Sequence, residues 1–321
     1  MPQNNEQGVS ANFYRALGLA EIVNDKRKIN KILRLASFAP DFSYEKEADK
    51  KGRIYFDRYK FLGSGFGVNV HGYRRMRTNK DGQRVEKHVV MDWGIFAMGY
   101  EDNVVAASFV DTDEYGIFYC FTEDLHSSNN FEFRVNNILE LLDKYRHCAD
   151  YEAVLDFEAD ISYVNTAMLM IYATVLLPVD KSHHEEYNQM LEEQIFNELV
   201  ARARMGDAEA EYSLEQMVFE QEMELGERLA HEDLLSVFEG YFLNLAEQSG
   251  IFSILADILS VEEVVNEASN QKLYRLNISI TDTKTTVYIN QEDLIGMPMV
   301  GMRLMGIGLL QGTILLDRPL A

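Results

Sequence analysis

Residues 296–312 read GMPMVGMRLMGIGLLQG, with five glycines set among methionines and leucines. Gly301-x4-Gly306 is followed by Ile-Gly, whereas a phosphate-binding P-loop requires Lys and then Ser or Thr. A membrane span is also disfavoured, because the stretch is short and glycine-rich for an apolar helix and Arg303 interrupts it. Glycine inside a strand marks a bend or a close backbone approach. The stretch therefore predicts a bent strand in a small curled sheet.

The sequence before this stretch shows the periodicity of strands. In LYRLNISIT, the apolar or aromatic residues Tyr274, Leu276, Ile278 and Ile280 alternate with polar ones, which is typical of a half-buried strand. FSILADILSV precedes it and TTVYINQ follows it. Residues 250–321 are therefore predicted to form a small β-barrel or a strongly curled sheet, with an OB-like barrel as one form.

The first part of the chain, 1–180, is predicted to be an antiparallel sheet domain with helices. Gly18 ends the short helical pattern NFYRALG, and Asn24 is the expected cap of a second helix, DKRKINKILRLAS. From about residue 53 to 121 the hydrophobic period becomes two, with turn compositions such as NKDG and YEDN, so an antiparallel meander is expected. The apolar run MLMIYATVLLPV indicates a buried strand, with a core helix as the alternative.

Between these parts lies an acidic segment, 181–249, with a helical pattern. Gly206 followed by Asp207 predicts that one helix stops and the next one starts at this corner. The predicted fold class is therefore α+β, with three parts: the sheet domain 1–180, the acidic helical segment 181–249 and the barrel-like domain 250–321.

Charge is distributed unevenly along the chain. The net charge is −22, made up of +8 in residues 1–80, −14 in 81–180, −13 in 181–249 and −3 in 250–321. Only two cysteines are present, without a C-x-x-C pair, and this is typical of a reducing compartment. The sequence shows neither a secretory signal nor a run long enough for a membrane helix, so we expect a cytoplasmic protein without a membrane partner.

Motifs that carry catalytic chemistry fail at decisive positions. FLGSGFGVNV, residues 61–70, is one residue short of a kinase glycine-rich loop and lacks the third glycine of a dinucleotide fingerprint. DTDEYGIFYCFT, from Asp111, has Thr122 where a calcium loop needs a bidentate glutamate. We therefore predict no catalytic residue, cofactor or metal ligand, and an enzyme only if a site assembles from distant residues.

One positive signal is a group of cations near aromatic residues. Basic residues recur along one side of the second helix, and the stretch HGYRRMRTNK adds more beside a tyrosine. Such a face suits backbone phosphates and base stacking, or it pairs with the acidic helices or another protein. The candidate basic face consists of Arg27, Lys31, Arg34, Tyr73, Arg74, Arg75, Arg77 and Lys80.

Three stretches together resemble a known but uncharacterised family of bacterial proteins. They are NFYRALGLAEI, VARARMGDAEAEYSLEQ and VYINQEDLIGMPMVGMRLMGIGLLQG, in this order along the chain. Members of that family come mainly from clostridial-type Gram-positive gut bacteria, and the resemblance extends over about residues 12–316. It implies a cytoplasmic bacterial protein of a domain-of-unknown-function family, and it supplies no activity, cofactor or site residue.

The sequence alone favours a non-catalytic cytoplasmic interaction or regulatory protein whose partner is another protein. The alternatives are a nucleic-acid-associated protein that uses the basic face and an enzyme whose site is invisible in sequence. Oligomeric state is left open by the sequence.

Overall fold

A computed structural model describes most of the two sheet-forming parts of the chain and a part of the acidic segment. The described residues are 13–46, 49–79, 82–100, 104–111, 117–121, 130–140, 162–178, 195–196, 198–210, 212–214, 216–219, 223, 240–245, 250–280 and 283–315.

Strands dominate the described residues, with a few short helices near the N-terminal side. Those on this side are α1 (13–16), α2 (Ala20–Asn24) and α3 (Lys26–Phe38), and a 3-10 turn covers Gln291–Asp293. Further helical residues are 138–140 and, in the acidic segment, 195–196, 198–204, 208–210, 212–214, 216–219 and 223. The strands are β1 (Phe42–Glu45), β2 (Ile54–Gly63), β3 (Phe66–Thr78), β4 (Arg84–Ala97), β5 (Val104–Asp111), β6 (Ile117–Phe121), β7 (Asn130–Val135), β8 (Ser162–Leu176), β9 (Tyr241–Asn244), β10 (Ile251–Val265), β11 (Lys272–Ile280), β12 (Thr283–Asn290), β13 (Leu294–Ile295) and β14 (Arg303–Leu315).

The strands form two sheets, one of which closes on itself. Strands β1 to β4 make an antiparallel meander in chain order. In the second sheet, β8, β14, β10, β11 and β12 form a ring, because β12 pairs with β8 in parallel and closes an otherwise antiparallel series. The α+β class, the antiparallel sheet and a five-stranded barrel are thus confirmed.

The second sheet differs in two respects from the sequence prediction. One of the five barrel strands is β8, the run MLMIYATVL that was predicted as a strand or a core helix within the first 180 residues. Strands β5 to β7 also join this second sheet rather than continuing the first meander. The barrel is therefore built from two distant segments of the chain, and the division at residues 180 and 249 stays a prediction.

The glycines of the opening stretch are confirmed as residues of a bent strand. Strand β14 pairs with β8 along its whole length, and the register shifts between Ile307 and Gly308. A Cβ atom at Gly306 would lie 2.5 Å from the backbone oxygen of Tyr172, and one at Gly308 would lie 2.5 Å from the side chain of Met168. Glycine is needed here because the two strands approach each other too closely for a side chain.

Two hydrophobic cores result from this arrangement. The first fills the barrel interior, with residues such as Phe252, Ile254, Leu276 and Ile289 that are almost fully buried. The second lies where the helices α1 to α3, the four-stranded sheet and the outer side of the barrel meet. Burying one large apolar side chain contributes roughly 1.5–3 kcal/mol, so both cores contribute strongly to holding the sheet against the barrel.

Helix α3 packs on one side of the four-stranded sheet. Its residues Ile29, Ile32 and Ala36 are buried, as the sequence period predicts. The expected cap was wrong by one residue: Asn24 ends α2, and the carboxylate of Asp25 accepts hydrogen bonds from the amides of Arg27 and Lys28. An Asp side chain in this position satisfies amides that have no partner inside the helix.

The helix corner predicted in the acidic segment is confirmed. Gly206 has φ 86°, and its amide donates to the carbonyl of Ala203. The carboxylate of Asp207 then accepts from the amides of Glu209 and Ala210, at 3.1 and 3.3 Å. Most of the remaining segment lies outside the described residues.

We predict that Gly306→Ala destabilises the barrel more than Gly301→Ala does. Gly301 has φ 83° but open space around it, so alanine there adds only backbone strain of about 1 kcal/mol. At Gly306 the new methyl group meets the fixed carbonyl of Tyr172, and we expect a loss of about 2–3 kcal/mol. Urea unfolding followed by circular dichroism measures both, and equal losses would contradict the close-approach explanation.

Candidate functional site

The four-stranded sheet has one side covered by α3 and another side that carries tyrosines and cations. Side chains alternate between the two sides of a strand, so Tyr73, Arg75 and Arg77 point away from α3. Neighbouring strands add residues to the same side, because Tyr55 is opposite Tyr73 and Lys87 is opposite Arg75. We call this surface the tyrosine–cation face: Arg53, Tyr55, Tyr73, Arg75, Arg77 and Lys87.

The centre of the tyrosine–cation face is a pair of tyrosine rings flanked by guanidinium groups. The ring centroids of Tyr55 and Tyr73 lie 5.9 Å apart, with the rings tilted by 58°. The guanidinium carbon of Arg53 lies 5.3 Å from one centroid and 5.5 Å from the other. That of Arg75 lies 5.9 Å from the Tyr73 ring. These cation–π contacts hold planar groups beside one another on a partly exposed surface.

The outer cations of this face are exposed. Arg75, Arg77 and Lys87 are all solvent-accessible, and no carboxylate of a described residue lies within ion-pair distance of them. Arg53 differs, because its backbone amide donates to one carboxylate oxygen of Asp49 and its side-chain Nε donates to the other. The positive charge of the face is therefore concentrated on β3 and β4.

An aspartate–histidine pair lies on the same side of the sheet, nearer the barrel. The Nδ1 atom of His71 is 2.7 Å from one carboxylate oxygen of Asp57, which is buried. The other oxygen accepts a hydrogen bond from the amide of Leu139 at 3.1 Å. The hydrogen bond of the His71 ring to the Asp57 carboxylate raises the pKa of His71, against the opposing effect of burial. Asp57 thus connects the amide of Leu139 and the ring of His71 to β2.

The opposite side of the sheet carries an ion-pair network next to the end of α3. The buried Arg58 donates to the carbonyl of Ser37 and, at 2.7 Å, to Glu45. Arg74 donates to the second oxygen of Glu45 at 2.9 Å and to Glu86 at 2.6 Å.

A cleft of about 440 Å³ opens beside this network. Its lining includes Phe38, Glu45, Arg58, Glu86 and His88. Burial tends to raise the pKa of Glu45, but the hydrogen bonds from Arg74 and Arg58 lower it overall. Hydrogen bonds from His88 and Arg74 also lower the pKa of Glu86. Both carboxylates are ionised and bound to cations, which is typical of a structural ion-pair network rather than of an acid–base pair.

The structure divides the predicted basic face among three places. Tyr73, Arg75 and Arg77 lie together on the tyrosine–cation face. Arg74 points to the other side of the same strand, where two glutamates neutralise it. The exposed residues Arg27, Lys31 and Arg34 lie on the outer side of α3, across the sheet from Tyr73. Lys80 lies outside the described residues.

Sequence reasoning missed three members of the tyrosine–cation face: Arg53, Tyr55 and Lys87. The period-two pattern of RIYFDRYKF already places the first two on one side of a strand. Their position beside Tyr73 depends on strand register, however, and no local pattern supplies it.

A second surface lies at one end of the barrel, where a loop with exposed apolar residues joins β13 to β14. Met297 and Val300 are 71% and 67% exposed. The loop conformation is fixed at both ends: β13 pairs with β8, and the amide of Gly301 donates to the carbonyl of Ile258. We call this surface the methionine loop: Ile295, Met297, Met299 and Val300, together with Leu177 at the adjoining end of β8.

Within the described part of the chain, no group of three or more His, Cys, Asp or Glu side chains is placed to hold a metal ion. No helix among these residues combines the length and the apolar character that crossing a membrane requires.

Comparison with known proteins identifies the family. The model of the family described as "Domain of unknown function, E. rectale Gene description (DUF3881)" matches residues 14–312. The chain therefore belongs to this family, and the resemblance to an uncharacterised family of clostridial-type bacteria is confirmed. No curated protein and no solved structure matches the chain. The tyrosine–cation face and the methionine loop both lie inside the matched residues.

We predict that His71 makes stability fall as the pH rises. Its folded-state pKa is raised above 6.5, so the stabilisation is fully present below about pH 6.5 and is lost as the pH rises through the folded-state pKa. The free energy of unfolding of the wild type should therefore exceed that of His71→Gln at about pH 5.5 and approach it at about pH 8.5. Urea titrations at both values test this, and an NMR titration that gives His71 a pKa below 6.5 would refute it.

We also predict that Arg58→Met destabilises the protein by about 3 kcal/mol. The change removes the guanidinium donor that the carbonyl of Ser37 has in addition to His88, and it removes one of the two cations bound to Glu45. Arg34→Met on the exposed side of α3 is the matched control, with an expected effect within about 0.5 kcal/mol. Thermal and urea unfolding compare the two variants, and similar midpoints would show that the network contributes little.

Proposed function

We propose that this protein is a non-catalytic binding protein of the cytoplasm and that its partner is another protein, which docks on the methionine loop. The observation that carries the proposal is the group of large apolar side chains exposed on a loop of fixed conformation. Contiguous patches of exposed apolar residues mark interaction sites, whereas apolar residues exposed singly are normal on protein surfaces. Methionine suits such a surface, because its unbranched, polarizable side chain adapts to the partner.

The shape of the loop indicates what the partner must provide. Met297, Val300 and Leu177 are each more than half exposed, so they project into solvent instead of lining a groove. The partner must therefore supply the concave apolar pocket. Because the loop is already ordered by its contacts with β8 and β10, binding does not require a large loss of loop entropy. Full burial of one such side chain contributes roughly 1.5–3 kcal/mol.

An enzymatic function has weaker support. The titratable groups of the cleft beside α3 are bound to one another, and the Asp57–His71 pair also fixes the amide of Leu139. Both clusters thus have structural roles that account for their geometry. A cytoplasmic location is supported by the presence of only two cysteines without a C-x-x-C pair.

The test is a pull-down from lysate of a clostridial-type host, in which the tagged full chain and two double variants of it serve as bait. The proteins that each bait retains are compared. Met297→Ser with Met299→Ser alters the methionine loop, while Met76→Ser with Met91→Ser changes two methionines on the four-stranded sheet. The control residues are 59% and 58% exposed, so they match the loop residues in type and exposure. Size-exclusion chromatography with light scattering then shows whether the purified chain binds a second copy of itself.

We expect one discrete protein to bind the wild type and the control and to be lost, by about tenfold or more, from the loop variant. Binding should survive moderate salt, because apolar contacts are not screened. Equal capture by both variants would refute the methionine loop as the docking site. A strictly monomeric protein that retains no partner would refute the proposed function.

A further inference from the structure

We infer that the tyrosine–cation face binds single-stranded nucleic acid, with phosphates against Arg75, Arg77 and Lys87 and with unpaired bases against Tyr55 and Tyr73. This site is separate from the methionine loop, and the inference is independent of the function proposed above.

Three exposed cations form a row on this face. Arg75 and Arg77 are two residues apart on β3, so their Cα atoms lie about 6.6–6.8 Å apart along the strand, and Lys87 extends the row onto β4. These three side chains are exposed and have no ion-pair partner among the described residues. By contrast, Arg74 on the same strand is bound by two carboxylates. A row of exposed cations along a strand is suited to the successive phosphates of an extended chain.

Two aromatic rings lie beside these cations. Tyr55 and Tyr73 are adjacent, partly exposed and centred on the same surface as the cations. Arg53 and Arg75 hold guanidinium planes next to them. Bases stack on tyrosine rings and on guanidinium planes, and each stacked base contributes about 1–3 kcal/mol. An acidic peptide would need the cations but would make no comparable use of the rings.

The shape of the face favours a single strand over a duplex. The face is the surface of an antiparallel sheet, and bases can lie flat on such a surface only when they are unpaired. Single strands are also favoured because the rings must reach the faces of the bases, which a duplex hides in its stack.

The acidic charge of the rest of the protein affects the range and the salt dependence of binding. The net charge of −22 repels a polyanion at long range, whereas contacts at the face act within a screening length of about 8 Å at physiological salt. On the side of the face, the carboxylate of Asp49 is bound to Arg53, and that of Asp57 is bound to His71 and to the amide of Leu139. Glu45 and Glu86 are bound to Arg74 on the other side of the sheet. Binding is therefore expected to be short-ranged and to weaken steeply with salt.

The test uses fluorescence anisotropy of the purified full chain with labelled 12-residue oligouridylate and oligothymidylate over a salt series. The cation variant carries Arg75→Ala, Arg77→Ala and Lys87→Ala. Its control carries Arg27→Ala, Lys31→Ala and Arg34→Ala on α3, which removes the same charge from the other side of the sheet. A stacking variant carries Tyr55→Leu and Tyr73→Leu, and circular dichroism confirms that each variant is folded.

We expect the cation variant to bind about tenfold or more weakly and the α3 control to stay within about threefold of the wild type. The log–log salt slope should fall by about 2 in the cation variant, because three phosphate contacts of a single strand are lost. The stacking variant should bind more weakly with an unchanged slope.

Three results would overturn the inference. One is a wild type that binds neither oligonucleotide at low salt, and another is an equal loss of affinity in the α3 control. The third is equally tight binding of a labelled 12-residue polyglutamate, which would identify the face as a site for acidic peptide. Failure of this test leaves the partner test on the methionine loop unaffected, because the two tests change different residues.

Discussion

The close approach of β8 and β14 is the constraint on which the rest of the structure depends. Their backbones pair along the full length of β14, and at Gly306 the distance leaves no room for a Cβ atom. This contact brings a strand from the middle of the chain into the barrel and allows β12 to close the ring on its other edge. Without it, neither the barrel interior nor the outer barrel surface against which the four-stranded sheet packs would exist.

Strand β14 also positions the four-stranded sheet. The buried side chain of Gln311 accepts a hydrogen bond from the amide of Ala97 at 2.9 Å and donates to the carbonyl of Ile95 at 3.1 Å. The end of β4 is thereby fixed to the barrel, and Asn136 adds a hydrogen bond to the carbonyl of Ala97. The inner end of the sheet is held in this way, while its outer end, with the tyrosine–cation face, remains accessible. The two proposed surfaces consequently lie on different parts of the fold.

Local sequence signals predicted those features that depend on neighbouring residues. The buried face of α3, the helix corner at Gly206 and Asp207, and the bent strand of 303–315 all follow from short-range pattern and glycine chemistry. The membership of β8 in the barrel and the separation of Arg74 from Arg75 could not be predicted in this way. Both depend on strand pairing between distant segments and on register, where a shift of one residue exchanges the two sides of a strand.

The use of β8 in a barrel otherwise formed by 251–315 has a consequence for synthesis. β8 leaves the ribosome long before β14, which begins at Arg303 and supplies its long antiparallel neighbour. Until then, β8 presents an apolar edge whose backbone groups lack this partner, and such edges promote aggregation. The high sequence separation of this pairing also slows folding. We therefore expect the exposed edge of β8 to be a site of aggregation in the nascent chain until β14 has been synthesised.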